Sequence, residues 1–244
     1  MNLILFDPAE TGLPLPRTDA RAVHIVDVLG RKPGDSFDTG LVNGPRGKGT
    51  LVAIDPLALT LNFTWGPAPP PPDPITLIVG LPRPQTARKI LQEATALGVA
   101  ALHFVLTDKG DSNYARSTLW STGEWRRHLI AGAEQAFDTR LPEVSHGEPL
   151  VAVIAALPNN TTRVALDNYE AGEALSQCHV LRDIAKPSAP VVLALGPERG
   201  WAPRDREHLR TGGFVLVHLG SRVLRLETAC VAGVALVKVR LGLM

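Results

Sequence analysis

Hydrophobic positions change their rhythm near residue 70. Before it, short apolar runs recur at 2–6, 36–42, 49–54 and 57–63, with turn signals between them at Asn43-Gly44 and Asp55-Pro56. One helical stretch interrupts them, from Thr18 as N-cap to about Leu29. This pattern predicts a small β-rich barrel of roughly 65 residues, near the lower limit for a self-supporting core. Beyond the change, strands at 75–79, 101–106, 163–166, 191–195 and 215–219 alternate with helices at 86–97, 118–137, 203–211 and 227–241. Strands separated by helices predict an α/β domain whose parallel sheet is covered on both faces. Between the two patterns runs Gly66-Pro67-Ala68-Pro69-Pro70-Pro71-Pro72-Asp73-Pro74, which fits neither a helix nor a central strand. The expected organisation is therefore 1–66 barrel, 67–74 linker and 75–244 α/β domain.

Two of the predicted strands end at glycine. The apolar run Val191-Val192-Leu193-Ala194-Leu195 stops at Gly196, and Val215-Leu216-Val217-His218-Leu219 stops at Gly220. Loops at the carboxyl edge of a parallel sheet form the crevice where ligands of α/β proteins bind. Glycine lets backbone amides and carbonyls approach such a ligand closely, although any single glycine can equally serve an ordinary turn. Arg222 and Arg225 add fixed positive charge beside the crevice.

The residues Gly196-Pro197-Glu198-Arg199-Gly200-Trp201-Ala202 and Leu219-Gly220-Ser221-Arg222-Val223-Leu224-Arg225-Leu226-Glu227-Thr228-Ala229 together resemble the paired loops of SPOUT methyltransferases. The resemblance is to the RsmE type, which methylates N3 of a uridine in small-subunit ribosomal RNA. Weaker matches extend it over nearly the whole chain. They are His24–Leu29 with Lys32-Pro33-Gly34-Asp35, Ala96-Leu97-Gly98-Val99, and Ala133-Glu134-Gln135 with Arg140 and Pro142. The resemblance implies a PUA-like RNA-binding barrel, a SPOUT-type parallel sheet with a carboxy-terminal trefoil knot, S-adenosyl-L-methionine as cofactor without a metal, and a homodimer. It implies 16S ribosomal RNA or the assembled small subunit as partner. On that basis Leu195, Gly196, Gly200, Leu219, Gly220, Leu224 and Arg225 are the expected cofactor residues. Arg222, Glu134, Gln135 and Arg140 are the expected substrate residues.

Arg225 is also the expected catalytic residue. N3 must lose a proton before or during attack, and a guanidinium can stabilise the negative charge left on the base. The alternative is a salt bridge to Glu227 or Glu198 that fixes the loop. Several residues depart from the family pattern. Arg199 stands at a frequent glycine, Ala202 at a helix-capping serine, Leu226 at a threonine and Asp138 at an arginine. Backbone-read cofactor binding should survive these changes. They leave open another ribosomal or transfer RNA nucleotide as target, and a non-catalytic RNA-binding assembly protein of the same fold. A dinucleotide-dependent oxidoreductase is disfavoured, because no GxGxxG opens the first strand–helix unit.

Composition adds little to this picture. The chain has 244 residues, 45% of them hydrophobic, and 25 basic against 24 acidic side chains, so net charge alone does not announce nucleic acid. Between residues 199 and 240, eight bases (Arg199, Arg204, Arg206, Arg210, Arg222, Arg225, Lys238, Arg240) outnumber three acids (Asp205, Glu207, Glu227). A solvated helix surface is the competing reading for Arg204, Arg206 and Arg210. Cys178 and Cys230 show neither disulfide nor zinc spacing. Trp120 and Trp125 read as packing residues rather than base-stacking platforms. The amino terminus has no signal-peptide pattern and no run reaches a membrane span, so a cytoplasmic location is expected.

Overall fold

The structure, a computed structural model, describes residues 3–182 and 190–244. Its contacts divide the chain into two units, Met1–Pro71 with Ile130–Leu141, and Pro72–Leu129 with Pro142–Met244. The sequence pattern suggested a contiguous second domain from residue 75. Instead, Ile130–Leu141 goes to the first unit, and the boundary falls within the proline run.

In the first unit, β1 (Leu3–Phe6), β2 (Leu15–Pro16), β3 (Ser36–Leu41), β4 (Arg46–Ile54) and β5 (Ala58–Trp65) form one sheet in the order β1-β3-β4-β5-β2. Strands β1 and β3 run parallel and the other neighbours antiparallel. The sheet is open between β1 and β2 among the described residues, so it is a five-stranded sheet without the closure expected of a barrel. Period-two alternation explains its two cores. Ile4, Phe6, Phe37, Leu51 and Leu59 pack with Ala22 and Ile25. Leu3 and Leu5, on the opposite face of β1, pack with Ala133, Ile130 and Leu141. Burial of β1 on both faces is thus the reason residues 130–141 belong here. The predicted helix is α1 (Ala20–Val23), continued as a wider turn over His24–Val28. Its N-cap is Asp19 rather than Thr18, and Asp19 Oδ1 accepts the Arg21 N–H at 2.8 Å.

In the second unit, β6 (Asp73–Gly80), β7 (Val99–Leu106), β8 (Glu143–Pro149), β9 (Thr162–Leu166), β10 (Glu173–Ala174), β11 (Val191–Leu195) and β12 (Val215–His218) form a seven-stranded sheet. Its order is β10-β12-β9-β11-β6-β7-β8, and every pair is parallel. All five residues of the central strand β11 are buried, as an unbroken apolar run between two helical layers requires. The helices are α2 (Pro84–Ala96), α3 (Thr118–Ser121), α4 (Glu124–Ala136, which belongs to the first unit from Ile130 onward), α5 (Leu150–Ala156), α6 (His179–Arg182), α7 (Pro203–Thr211) and α8 (Leu226–Leu241). The single helix expected at 118–137 is broken into α3 and α4 at Gly123, whose φ of +73° ends a right-handed helix. Strands β8 and β10 carry polar edge sequences that no hydrophobic period marks. From β11 the chain crosses beyond β9 to β12, and α8 then returns to pack on β11 and α2. Gly233 permits the close return. A Cβ there would lie 2.9 Å from the Leu193 side chain. No helix among the described residues is long and apolar enough to cross a membrane.

Candidate active site

Registration of the sheet brings three strand ends together. Leu195 of β11 pairs with Leu166 of β9, and Leu166 pairs with Val217 of β12. The loops that follow these strands border a cleft with a cavity of about 90 Å³. Leu195, Gly196, Gly200, Leu219, Arg222 and Leu224 all line it, whereas Gly220 and Arg225 do not.

The loop after β11 is tightly built. A Cβ on Gly196 would lie 2.9 Å from the Trp201 amide nitrogen and 3.0 Å from the Gly200 carbonyl carbon, so only glycine fits. Gly200 adopts φ +67° and donates its N–H to the Pro197 carbonyl at 2.7 Å. The buried Trp201 indole donates to the Leu166 carbonyl at 2.9 Å, tying this loop to β9. Glu198 Oε1 accepts the Arg83 N–H at 3.1 Å and lies 3.5 Å from the Arg83 guanidinium. Ala202 offers no side-chain cap to α7. The buried Asp205 accepts the Ala202 N–H at 2.9 Å instead, and so replaces one of the contacts an absent serine would organise.

The loop after β12 is open. Gly220 has φ +107°, but nothing lies within 4 Å of a Cβ built on it, so conformation and not close packing demands glycine there. Its N–H is already donated to His218 Nδ1 at 3.0 Å. Ser221 through Arg225 are exposed. Arg225 sits at the N-cap position of α8, beside a second depression that also touches Arg83, Lys89 and Glu198. Neither carboxylate considered as its partner takes that role. Glu227 pairs with Lys89 at 3.0 Å and Glu198 with Arg83, and Arg225 has no ion pair among the described residues. The Glu227 carboxyl is held below its ordinary range by its own backbone N–H and then by Lys89, with a smaller effect from Arg225. Leu226, at the family's threonine position, is buried and lines the cleft.

The third wall, Asp167-Asn168-Tyr169, went unread in the sequence. Asp167 is buried. Its Oδ1 accepts the N–H groups of Tyr169 at 2.8 Å and Glu170 at 2.6 Å, while its Oδ2 pairs with Arg206 Nε at 2.7 Å. Arg206 is therefore no solvated helix residue. It is 5% exposed, and its guanidinium also lies 3.4 Å from Glu170 and 5.4 Å from the Tyr169 ring centroid. Arg210 pairs with Glu170, and Lys238 with Asp73 at 2.8 Å. Of the basic cluster in 199–240, Arg199, Arg222 and Arg225 are the members that line the cleft or the depressions beside it. The strand-end rule applied to 163–166 would have found Asp167, had that strand been placed beside β11.

Glu134, Gln135 and Arg140 belong to the first unit. Glu134 accepts the Leu5 N–H at 3.0 Å, and burial pushes its carboxyl above the ordinary range. Arg140 donates to three carbonyls, of Pro69, Pro70 and Asn43, at 3.0, 3.0 and 3.2 Å. Its fork is thus engaged in bracing the proline run. Asp138, the reversed charge, caps the adjoining turn by accepting the Thr139 and Arg140 N–H groups. Gln135 is exposed. Trp120 is buried, stacked on His146 at 4.4 Å and tilted against Phe104 at 5.1 Å. Glu173, Cys178 and His179 bring one potential ligand atom each within 4.8 Å of one another, a proximity that cysteine spacing did not reveal. Hydrogen bonds from His179 and Cys178 to Glu173 link the three.

Residues 69–238 match the family described as RNA methyltransferase domain. Ribosomal RNA small subunit methyltransferase E of Treponema pallidum is 30% identical, over 97% of this chain and 90% of that protein. Ribosomal RNA small subunit methyltransferase E 1 of Borreliella burgdorferi is 27% identical, over 95% of each. Among solved structures, ribosomal RNA small subunit methyltransferase E from Neisseria gonorrhoeae bound to S-adenosyl methionine superposes with a TM-score of 0.76. It is 21% identical and the match covers 98% of this chain and 97% of that one. A probable rRNA-methyltransferase from Porphyromonas gingivalis gives 0.80 at 20% identity, with 98% of each chain covered. At these identities the structural likeness establishes the fold.

Proposed function

The chain belongs to the RNA methyltransferase family, among the ribosomal RNA small subunit methyltransferases E, and from that premise we propose that it transfers a methyl group from S-adenosyl-L-methionine to N3 of a uridine in 16S ribosomal RNA. The observation that carries this reading is the cleft at the ends of β9, β11 and β12. Leu195, Leu219 and Leu224 give it apolar walls suited to a purine ring, while Gly196 and Gly200 expose backbone to polar ligand atoms. These residues fit the cofactor, which when bound supplies an electrophilic methyl on a sulfonium.

The chain's own task is positioning and charge stabilisation. Arg225 is exposed and makes no ion pair among the described residues, so its fork of donors is available to a uracil that loses its N3 proton. It stands at the start of the 16-residue helix α8, whose amino-terminal dipole favours negative charge in the same place. Arg222, on the cleft side of the same loop, is assigned to the RNA backbone. Gln135 remains a candidate RNA contact on the first unit, whereas Glu134 and Arg140 hold backbone. Gly220 shapes the second loop and is assigned no direct cofactor contact.

We further propose that the five-stranded sheet is a PUA-like RNA-binding module. The path from β11 past β9 to β12 and back through α8 supports a trefoil knot. A homodimer acting in the cytoplasm, on 16S ribosomal RNA or the assembled small subunit and without a metal, completes the reading. Titration calorimetry with S-adenosylmethionine, followed by nucleoside mass spectrometry of small-subunit RNA incubated with enzyme and cofactor, tests it. The expected product is 3-methyluridine. Absence of binding, or a methyl group on another atom, contradicts the proposal.

A further inference from the structure

On the far side of the Gly196–Gly200 loop from the cofactor cleft lies an open groove lined by Arg83, Lys109, Tyr114, Glu198 and Arg199. The groove and the cleft share Pro197 and Glu198, so this single loop forms a wall of both. Tyr169 stands where they approach each other. It lines the cleft, a Cβ on Gly200 would lie 3.6 Å from its ring, and the Lys109 ammonium lies 6.0 Å from its ring centroid. Tyr169 is 75% exposed, unusual for a large ring that is not packing a core. Its underside is fixed nonetheless. The Arg206 guanidinium lies 5.4 Å from the ring centroid, and the Tyr169 N–H is held by the buried Asp167. The chain has two tyrosines, and both border this region.

Charge there is positive and available. Arg83, Lys109 and Arg199 face the groove with Glu198 and Asp111. Glu198 is paired with Arg83, and Asp111 accepts the Asn113 N–H at 2.9 Å while keeping its charge, so the three cations outnumber the two acids by one. Lys109 and Arg199 make no ion pair among the described residues. A rigidly seated, exposed aromatic ring beside such cations is the arrangement that binds single-stranded nucleic acid. The ring stacks a base and the cations hold the phosphates beside it.

We propose that Tyr169 is the stacking platform for an unpaired RNA base at the mouth of the cleft, and that Lys109 and Arg199 hold the adjoining phosphates. This assignment rests on the chain's being an RNA methyltransferase and names the groups that bring its substrate strand to the cofactor. Arg199, at a position where the family pattern frequently has glycine, supplies one of these phosphate contacts.

The test uses the full chain, a short fluorescein-labelled uridine-containing single strand for anisotropy, and calorimetry with S-adenosylmethionine. Tyr169→Ala is expected to weaken RNA binding by roughly 10- to 100-fold, with Tyr169→Phe close to the unmutated protein and the thermal unfolding midpoint preserved in both. Lys109→Ala with Arg199→Ala is expected to lower the slope of log affinity against log salt by about two phosphate contacts. An unchanged thermal unfolding midpoint shows that each variant is folded. Loss of cofactor affinity with RNA binding intact in Tyr169→Ala places the ring over the cofactor and overturns the proposal, as does unchanged RNA affinity. The broader functional reading fails separately. A protein that binds RNA through these residues but transfers no methyl refutes that reading while this one stands.

Discussion

The two glycine loops that face each other across the cleft share a sequence logic and differ in physical state. The loop after β11 is closed on itself. Gly196 has no room for a methyl group, Trp201 is buried and bonded to β9, and Glu198 is anchored to Arg83. The loop after β12 is open, with free space around Gly220 and exposed side chains from Ser221 to Arg225. A glycine can therefore mean opposite things. At Gly196 it answers crowding, and at Gly220 it answers a backbone angle of +107°. The closed loop is a preformed wall. The open loop has few contacts of its own to fix it, so its groups are the ones free to engage a cofactor and a base.

Substitutions on the two sides should consequently fail in different ways. The largest effect is expected under the closed side, at Asp167. Asp167→Ala leaves the buried Arg206 with the 3.4 Å Glu170 contact as its one ion pair among the described residues, and should lower unfolding stability by about 3–5 kcal/mol. Denaturant titration measures it, and a loss below 1 kcal/mol would mean that the pair does not hold the wall. On the open side, Arg225→Ala should leave stability and cofactor affinity nearly unchanged. Single-turnover methyl transfer should slow by about 10²–10³, or roughly 3–4 kcal/mol of transition-state stabilisation. Arg225→Lys should restore little of it. An unchanged transfer rate at saturating cofactor and RNA would remove Arg225 from the chemistry.

A matched pair of smaller changes sharpens the contrast. Gly196→Ala should cost about 1–3 kcal/mol by overpacking and weaken cofactor binding at the same time. Gly220→Ala meets no neighbour and should cost about 1 kcal/mol of backbone strain. Equal losses at the two positions would erase the distinction between the loops. The smallest expected effect lies outside both, at Glu134. Burial raises its carboxyl above the ordinary 4.5, so the native state binds that proton more tightly than the unfolded chain does. Its stabilising contribution is therefore complete below pH 4.5 and is lost as pH rises through the raised value. The stability difference between the native chain and Glu134→Gln should change in that window and stay flat above it. Chemical denaturation at several pH values decides this.

Regular apolar periods made the core of the fold legible. The strand at 191–195 and the helix at 203–211 were read to the residue, because a buried run and a proline-opened helix mark their own limits. Strand β8, with the sequence Glu-Val-Ser-His-Gly-Glu-Pro, was not legible, since an edge strand takes its place from backbone pairing with β7 and not from burial. The return of residues 130–141 to the first unit was equally hidden. It depends on Leu3 and Leu5 needing partners that lie more than a hundred residues away in sequence. Of the residues that line the cleft, Leu195, Gly196, Gly200, Leu219 and Leu224 are ones the loop pattern names. Asp167 and Tyr169 were missed because only the parallel register of β9 beside β11 brings them to the cleft. Arg206 reads as a surface base in any local window, whereas it is buried against Asp167, Glu170 and Tyr169.

Amide hydrogen exchange with and without S-adenosylmethionine tests most directly the central claim that a preformed wall and an open loop together hold the cofactor. Without cofactor, the amides of Gly200 and Trp201 should exchange slowly and those from Ser221 to Leu224 rapidly. With cofactor, both loops should gain protection, the second by far the more, while the five-stranded sheet of the first unit is unaffected. Unchanged exchange from Ser221 to Leu224 at saturating cofactor would contradict the account.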